Sequence, residues 1–325
     1  MKAEFEEKTY ENLMNIAFVC EFNAINIFAP GQILENDLGF DVMMNIRNRE
    51  FFRKFFDYYG YFYMKKWKYF SDINYKNLTT KNKKLEQILR DSKVNFNIFI
   101  QYKRSNYFTC RSRKGKCCSQ WQIPYYRYEL YLNTYDMRKS QHKLLLDLHN
   151  EIQNKALVIY AAPSFHTFKE LFKYMNNYKE LIENSNFCDV GKLNSHKYVS
   201  FIKGGTYNIA CSKPEKIETL NIEEEIMKLK KHKYIDLNIL YFRIEFIVNV
   251  IDKIMKIKKE KQPNPIAQQY QNFVEKTHLK EFNVLYMIYK IQLFQLLTNT
   301  NILWNIEYEP NSWDRRIRKC PVLAI

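Results

Sequence analysis

Four side chains stand at spacings that could do chemistry: Glu35, Asp41, Gln101 and Lys103. Gln101 and Lys103 close the stretch 95–105, in which Val94, Phe96, Ile98, Ile100 and Tyr102 form an unbroken apolar series at period two. Side chains two apart on a strand point the same way. The pattern predicts a strand with one face in a core and Gln101 and Lys103 side by side on the other, more polar face. Upstream, Glu35 and Asp41 frame a Glu-x3-Gly-x-Asp pattern ahead of the apolar run Val42-Met43-Met44. Oxygen donors suit a hard divalent cation such as Mg²⁺. Phosphodiester hydrolysis needs a positioned water, neutralised phosphate charge and a stabilised leaving oxygen, much of which such a cation supplies. Spacing by itself shows only that Gln101 and Lys103 share a face.

Glu-x3-Gly-x-Asp followed by Gln-x-Lys-Arg resembles the PD-(D/E)XK nuclease superfamily. The closest variant is that of Mrr-type restriction endonucleases, with Gln in place of the first acid of the second motif. The resemblance covers about 70 residues strictly, Glu35 to Ser105. It implies an α/β fold with a restriction-endonuclease-like mixed sheet core flanked by helices. It also implies roles: Asp41 as principal ligand of Mg²⁺ (or Mn²⁺), and Glu35 as a second carboxylate, direct or through water. Gln101 becomes a neutral oxygen ligand, and Lys103 the group that orients the nucleophilic water or stabilises the charged phosphate. Sixty positions separate Asp41 from Gln101, where compact members use far fewer, so an insertion over about 46–93 is expected. Each residue keeps a plainer alternative. Asp41 could cap a strand end, Lys103 with Arg104 could be an edge-strand gatekeeper pair, and Glu35 could sit in a solvated turn.

Charge gives a partner class. Lys and Arg number 51 against 35 Asp and Glu, a net +16, which suits a polyanion. Abundant Lys, Asn, Ile and Tyr also read as the codon bias of an AT-rich genome. The loop 104–116 starts where Gln101-Tyr102-Lys103 ends and carries Arg104, Arg111, Arg113, Lys114 and Lys116; beside the site it could hold a phosphate backbone. The aromatic, Lys-interleaved stretch 51–75 reads either as a stacking surface for nucleic acid or as the private core of an inserted subdomain. Seven cysteines without a secretion signal read as reduced thiols in a cytoplasmic protein. Cys110, Cys117 and Cys118 lack a zinc spacing. The acidic N-terminus is not that of a signal peptide, and no charge-free run of about 18 residues suggests a membrane span. His166 follows a strand at what could be the same sheet edge. His142 and His149 stand two helical turns apart, too far to hold one ion.

The elements that must position these groups follow from periodicity. Helices are expected at 10–22, 137–155 and 167–183, and strands at 40–45, 94–102, 157–160, 197–202 and 207–211. The stretch 124–132 is expected to pair beside the central strand. After Pro214 the texture turns helical, with Leu237, Leu240, Ile244, Ile247 and Ile251 as a stripe for a core or a partner. This divides the chain into a PD-(D/E)XK nuclease-like domain, 1–215, and a helical C-terminal region, 216–325, open to a protein partner or self-association. The function expected is that of a Mg²⁺-dependent endodeoxyribonuclease on double-stranded DNA, in bacterial defence against phage. The alternative is a non-catalytic nucleic-acid-binding or partner-docking subunit of a defence complex.

Overall fold

The structure is a computed structural model describing residues 1–26, 75–109, 121, 123–130, 141–194, 196–211, 214–231, 237–256 and 279–308. It is mixed α/β with two five-stranded sheets. The first sheet is ordered β1 (Ala24–Ile25), β10 (Asn301–Tyr308), β2 (Ser92–Tyr102), β5 (Leu157–Pro163), β6 (Ser185–Asp189). β2 pairs antiparallel with β10 and parallel with β5. The second sheet, antiparallel throughout, is ordered β3 (Asn106–Phe108), β4 (Tyr125–Glu129), β7 (Tyr198–Phe201), β8 (Tyr207–Cys211), β9 (Glu215–Glu218).

β2 is the strand the period-two pattern predicts, but both its faces are covered. Phe96, Ile98, Ile100 and Tyr102 pack into one core with α1 (Glu7–Phe22), α4 (Phe168–Met175), α5 (Tyr178–Glu183) and α6 (Ile222–Lys231). Phe99, on the opposite face, packs into a second core with α2 (Tyr75–Arg90), α3 (Gln141–Ile152), α7 (Leu240–Lys256), α8 (Asn283–Thr298) and the inner face of the second sheet. Asn97 and Gln101 share the Phe99 side by alternation and are fully enclosed. The expected polar face is therefore interior. Its polar groups must find partners there, because an unpartnered buried polar group is costly. Asn97 Oδ1 meets the Arg243 guanidinium, itself enclosed, which also donates to the backbone carbonyls of Leu237 and Lys155 at 2.8 and 2.7 Å.

Several expected elements shift. The helix expected over 167–183 is two helices: Thr167 and Glu170 form a capping box for α4, and the Asn177 side chain accepts from Glu180 N to start α5. β5 continues through Ala161-Ala162-Pro163, pairing with β6 to Ser185. Its proline sits at the strand's last position, where a missing N–H is tolerated. β4 lies in the second sheet, not beside the central strand. The boundary expected near 215 falls at the start of β9, and β10 of the C-terminal region is hydrogen-bonded along β2. The two regions thus share one sheet. Cys211 is disulfide-bonded, while Cys20 and Cys188 are free; the expectation of uniformly reduced thiols is corrected to that extent. Among the described residues no helix is long and apolar enough to cross a membrane.

Candidate functional site

Gln101 lies at the C-terminal end of β2 and Lys103 just follows it, beside the C-terminal half of its parallel neighbour β5. Gln101 pairs in register with Tyr160. Its side-chain Nε2 donates to Thr298 O at 2.7 Å and to Gln141 Oε1 at 2.8 Å. A backbone carbonyl can only accept, so Thr298 fixes which way the amide faces. Gln101 Oε1 is left with no hydrogen-bond partner on a side chain 1% exposed.

Lys103 continues the ladder, its backbone N–H donating to Ala161 O at 2.9 Å. Its side chain is 8% exposed, with Nζ 5.6 Å from the centre of the Tyr160 ring. It has no ion-pair partner among the described residues, which is unusual because enclosed lysines are normally paired. Burial pushes its pKa below the ordinary lysine value, and the carboxylates of Glu7 and Glu129 partly offset this. Tyr160 is tied in turn to His142. His142 Nε2 lies 3.0 Å from Leu193 O and must donate to it, so the neutral ring offers Nδ1 to the Tyr160 hydroxyl, also at 3.0 Å. Burial drives His142 down to about 4, with Lys103 adding to the shift and the Leu193 hydrogen bond opposing it. The site is an enclosed polar cluster in which an amide oxygen lacks a donor and an ammonium has no ion-pair partner among the described residues.

Glu35 and Asp41 lie outside the described residues, as do Arg111, Arg113, Lys114 and Lys116, and all but the last residue of the aromatic stretch 51–75. The strand expected at 40–45 also lies outside the described residues. β10 pairs along residues 92–100 on one edge of β2, and β5 along 98–102 on the other. Arg104 is engaged within the chain. Its guanidinium holds both carboxylate oxygens of Glu6 at 2.8 Å and donates to Ala3 O, binding the N-terminal segment to the end of β2. His166 stacks on Tyr107, ring centres 4.0 Å apart, away from the Gln101 cluster's partners. His142 and His149 have separate partners, His149 Nε2 lying 3.1 Å from Asp189.

Gln141, His142, Tyr160 and Thr298 belong to the cluster without any local signal for it in the sequence. They come from three segments joined only by the fold. Among the described residues no three His, Cys, Asp or Glu side chains gather as a metal site. The one oxygen of this cluster left open to a hard cation is Gln101 Oε1, so a complete ligand set would need the carboxylates of Glu35 and Asp41. No protein-family model, no curated protein and no solved structure matches this chain.

Proposed function

We propose that the chain is a metal-dependent nuclease of the PD-(D/E)XK kind, with a restriction-endonuclease-like core, hydrolysing phosphodiester bonds of double-stranded DNA. The observation that supports the reading is at the end of β2: an amide oxygen of Gln101 without a donor, and an enclosed ammonium at Lys103 without an ion-pair partner among the described residues. An ammonium held in an enclosed site without an ion-pair partner interacts strongly with an incoming phosphate, because little solvent screens it. Its place at the carboxyl end of parallel strands is where open α/β sheets bind ligands. Gln141 and Thr298 hold the Gln101 amide so that its oxygen faces away from both. Mg²⁺ or Mn²⁺, when bound, would supply a Lewis acid and an activated water, with Asp41 and Glu35 completing the ligands. The net charge of +16 favours a polyanionic substrate. A role in bacterial defence rests on the resemblance alone.

A second reading has its own observation. Gln101 is anchored by two acceptors and Lys103 is enclosed, as a purely structural cluster in a non-catalytic nucleic-acid-binding or partner-docking protein would be. The test is cleavage of plasmid DNA by the full chain with Mg²⁺ or Mn²⁺, beside the Asp41→Ala and Lys103→Ala variants, each checked for folding by circular dichroism. The nuclease reading expects cleavage by wild type, lost in both variants while DNA binding persists. Equal cleavage by all three, or none by wild type with either ion, overturns it.

A further inference from the structure

A cleft of about 380 Å³ opens away from the Gln101 cluster, bounded by α5, β6, the turn between β7 and β8, and the link from β9 into α6. Asn186 of β6 lines it and is 4% exposed. The Asn186 Nδ2 donates to Asn208 Oδ1 at 2.7 Å, while its Oδ1 has no hydrogen-bond partner. Thr219 Oγ1, also lining the cleft, is likewise buried without a partner. A buried acceptor in this condition is unfavourable unless something brings it a donor. The exposed rim carries the carboxylates of Glu183 and Glu223, neither in an ion pair among the described residues, against one cation, Lys179. On a chain of net charge +16, this is a local reversal of sign.

We infer that this cleft binds a guanidinium group. The Asn186 amide oxygen and the Glu183 and Glu223 carboxylates can only accept, and the Thr219 hydroxyl can accept as well as donate, so a donor-rich occupant fits them. Two unpaired carboxylates repel an anion and favour a cation. The space is that of a side chain or a small molecule, far larger than a bare ion needs. Guanidinium brings five N–H donors in a planar fork and a charge that carboxylates grip with paired hydrogen bonds. The group arrives either on a small molecule or on an arginine of a peptide. The inference stands apart from the nuclease reading, since none of these residues touches Gln101 or Lys103.

The test is calorimetric titration of the full chain with L-arginine amide, with an acetyl-Gly-Arg-Gly amide tripeptide, and with choline, a cation that has no N–H. Both arginine compounds are expected to bind, and choline at least tenfold more weakly. The Glu183→Gln/Glu223→Gln double variant, altered only at exposed positions, should weaken arginine amide at least tenfold. Thr219→Val should weaken it several-fold, and Glu224→Gln, outside the lining, should leave it unchanged. Tighter binding of the tripeptide than of arginine amide assigns the site to a peptide, and the reverse order to a free small molecule. Absence of binding by both, choline binding as well as arginine amide, or a double variant equal to wild type overturns the inference.

Discussion

Lys103→Met tests the central feature of the site, an enclosed ammonium without an ion-pair partner among the described residues. Methionine keeps the length of the stem and removes the charge. The ammonium has the Tyr160 ring 5.6 Å away and the carboxylates of Glu7 and Glu129 to steady it. Replacing buried ionic groups by well-packed apolar side chains of similar volume is often neutral or stabilising, by up to about 1–4 kcal/mol. At 8% exposure little of the charge is screened by solvent, so a gain within that range is expected at pH 7. In a chain this long that is a rise in melting temperature of a few degrees. The sign with pH follows from linkage. The folded-state pKa of Lys103 is depressed below 10.5, so between the two values the unfolded chain binds the extra proton. Wild type therefore gains stability as pH rises through that window, and the advantage of the Met variant shrinks. The assay is urea unfolding followed by circular dichroism from pH 6 to 10, in parallel with DNA cleavage. A stabilised protein that has lost cleavage would show a functional group kept at the expense of stability. Destabilisation by more than about 1 kcal/mol at pH 7, or a gap between variants that ignores pH, would refute the reasoning.

Other perturbations test what holds the cluster in place. His142, neutral when folded and driven down to about 4, should make wild type lose about 3 kcal/mol as pH falls from 6.5 to 4, because only the unfolded state is protonated there. His142→Phe should flatten that slope in acid titrations of stability, although it loses two hydrogen bonds; an unchanged slope contradicts the assignment. His149, raised by Asp189, works in the opposite direction, its contribution present below 6.5 and lost as pH rises. Gly191→Ala would put a Cβ 2.3 Å from His149 Cε1, forcing the ring off Asp189. A loss of about 1–3 kcal/mol is expected, and an unaltered melting temperature would show that the ring yields freely. Arg243→Lys keeps the charge but not the fork that reaches the Leu237 and Lys155 carbonyls. It should cost about 1–3 kcal/mol, measured by urea unfolding, and a neutral outcome would mean those carbonyls find other donors.

The apolar alternation of 94–102 by itself determined β2, and with it that Asn97, Phe99 and Gln101 share a face, because side-chain direction in a strand depends only on parity. The stripe at Leu240, Ile244, Ile247 and Ile251 likewise determined the buried side of α7. Asn177 carried the break between α4 and α5, and Thr167 with Glu170 the start of α4, in plain local chemistry, and only the apolar spacing on either side disguised them as one helix. Tertiary structure alone decided what covers the second face of β2. Strand parity says which residues point together, not whether helices or water lie beyond them. Nor does periodicity name a strand's neighbours. β10 reaches β2 from about 200 positions away and pairs along one of its edges. Arg104 shows the same limit at a single residue: its position beside the motif favoured a phosphate, but the fold brings Glu6 within 2.8 Å, and a carboxylate in place meets the guanidinium first. The orphaned oxygen of Gln101 is likewise a product of assembly, since Thr298 and Gln141 fix it from segments 197 and 40 residues away.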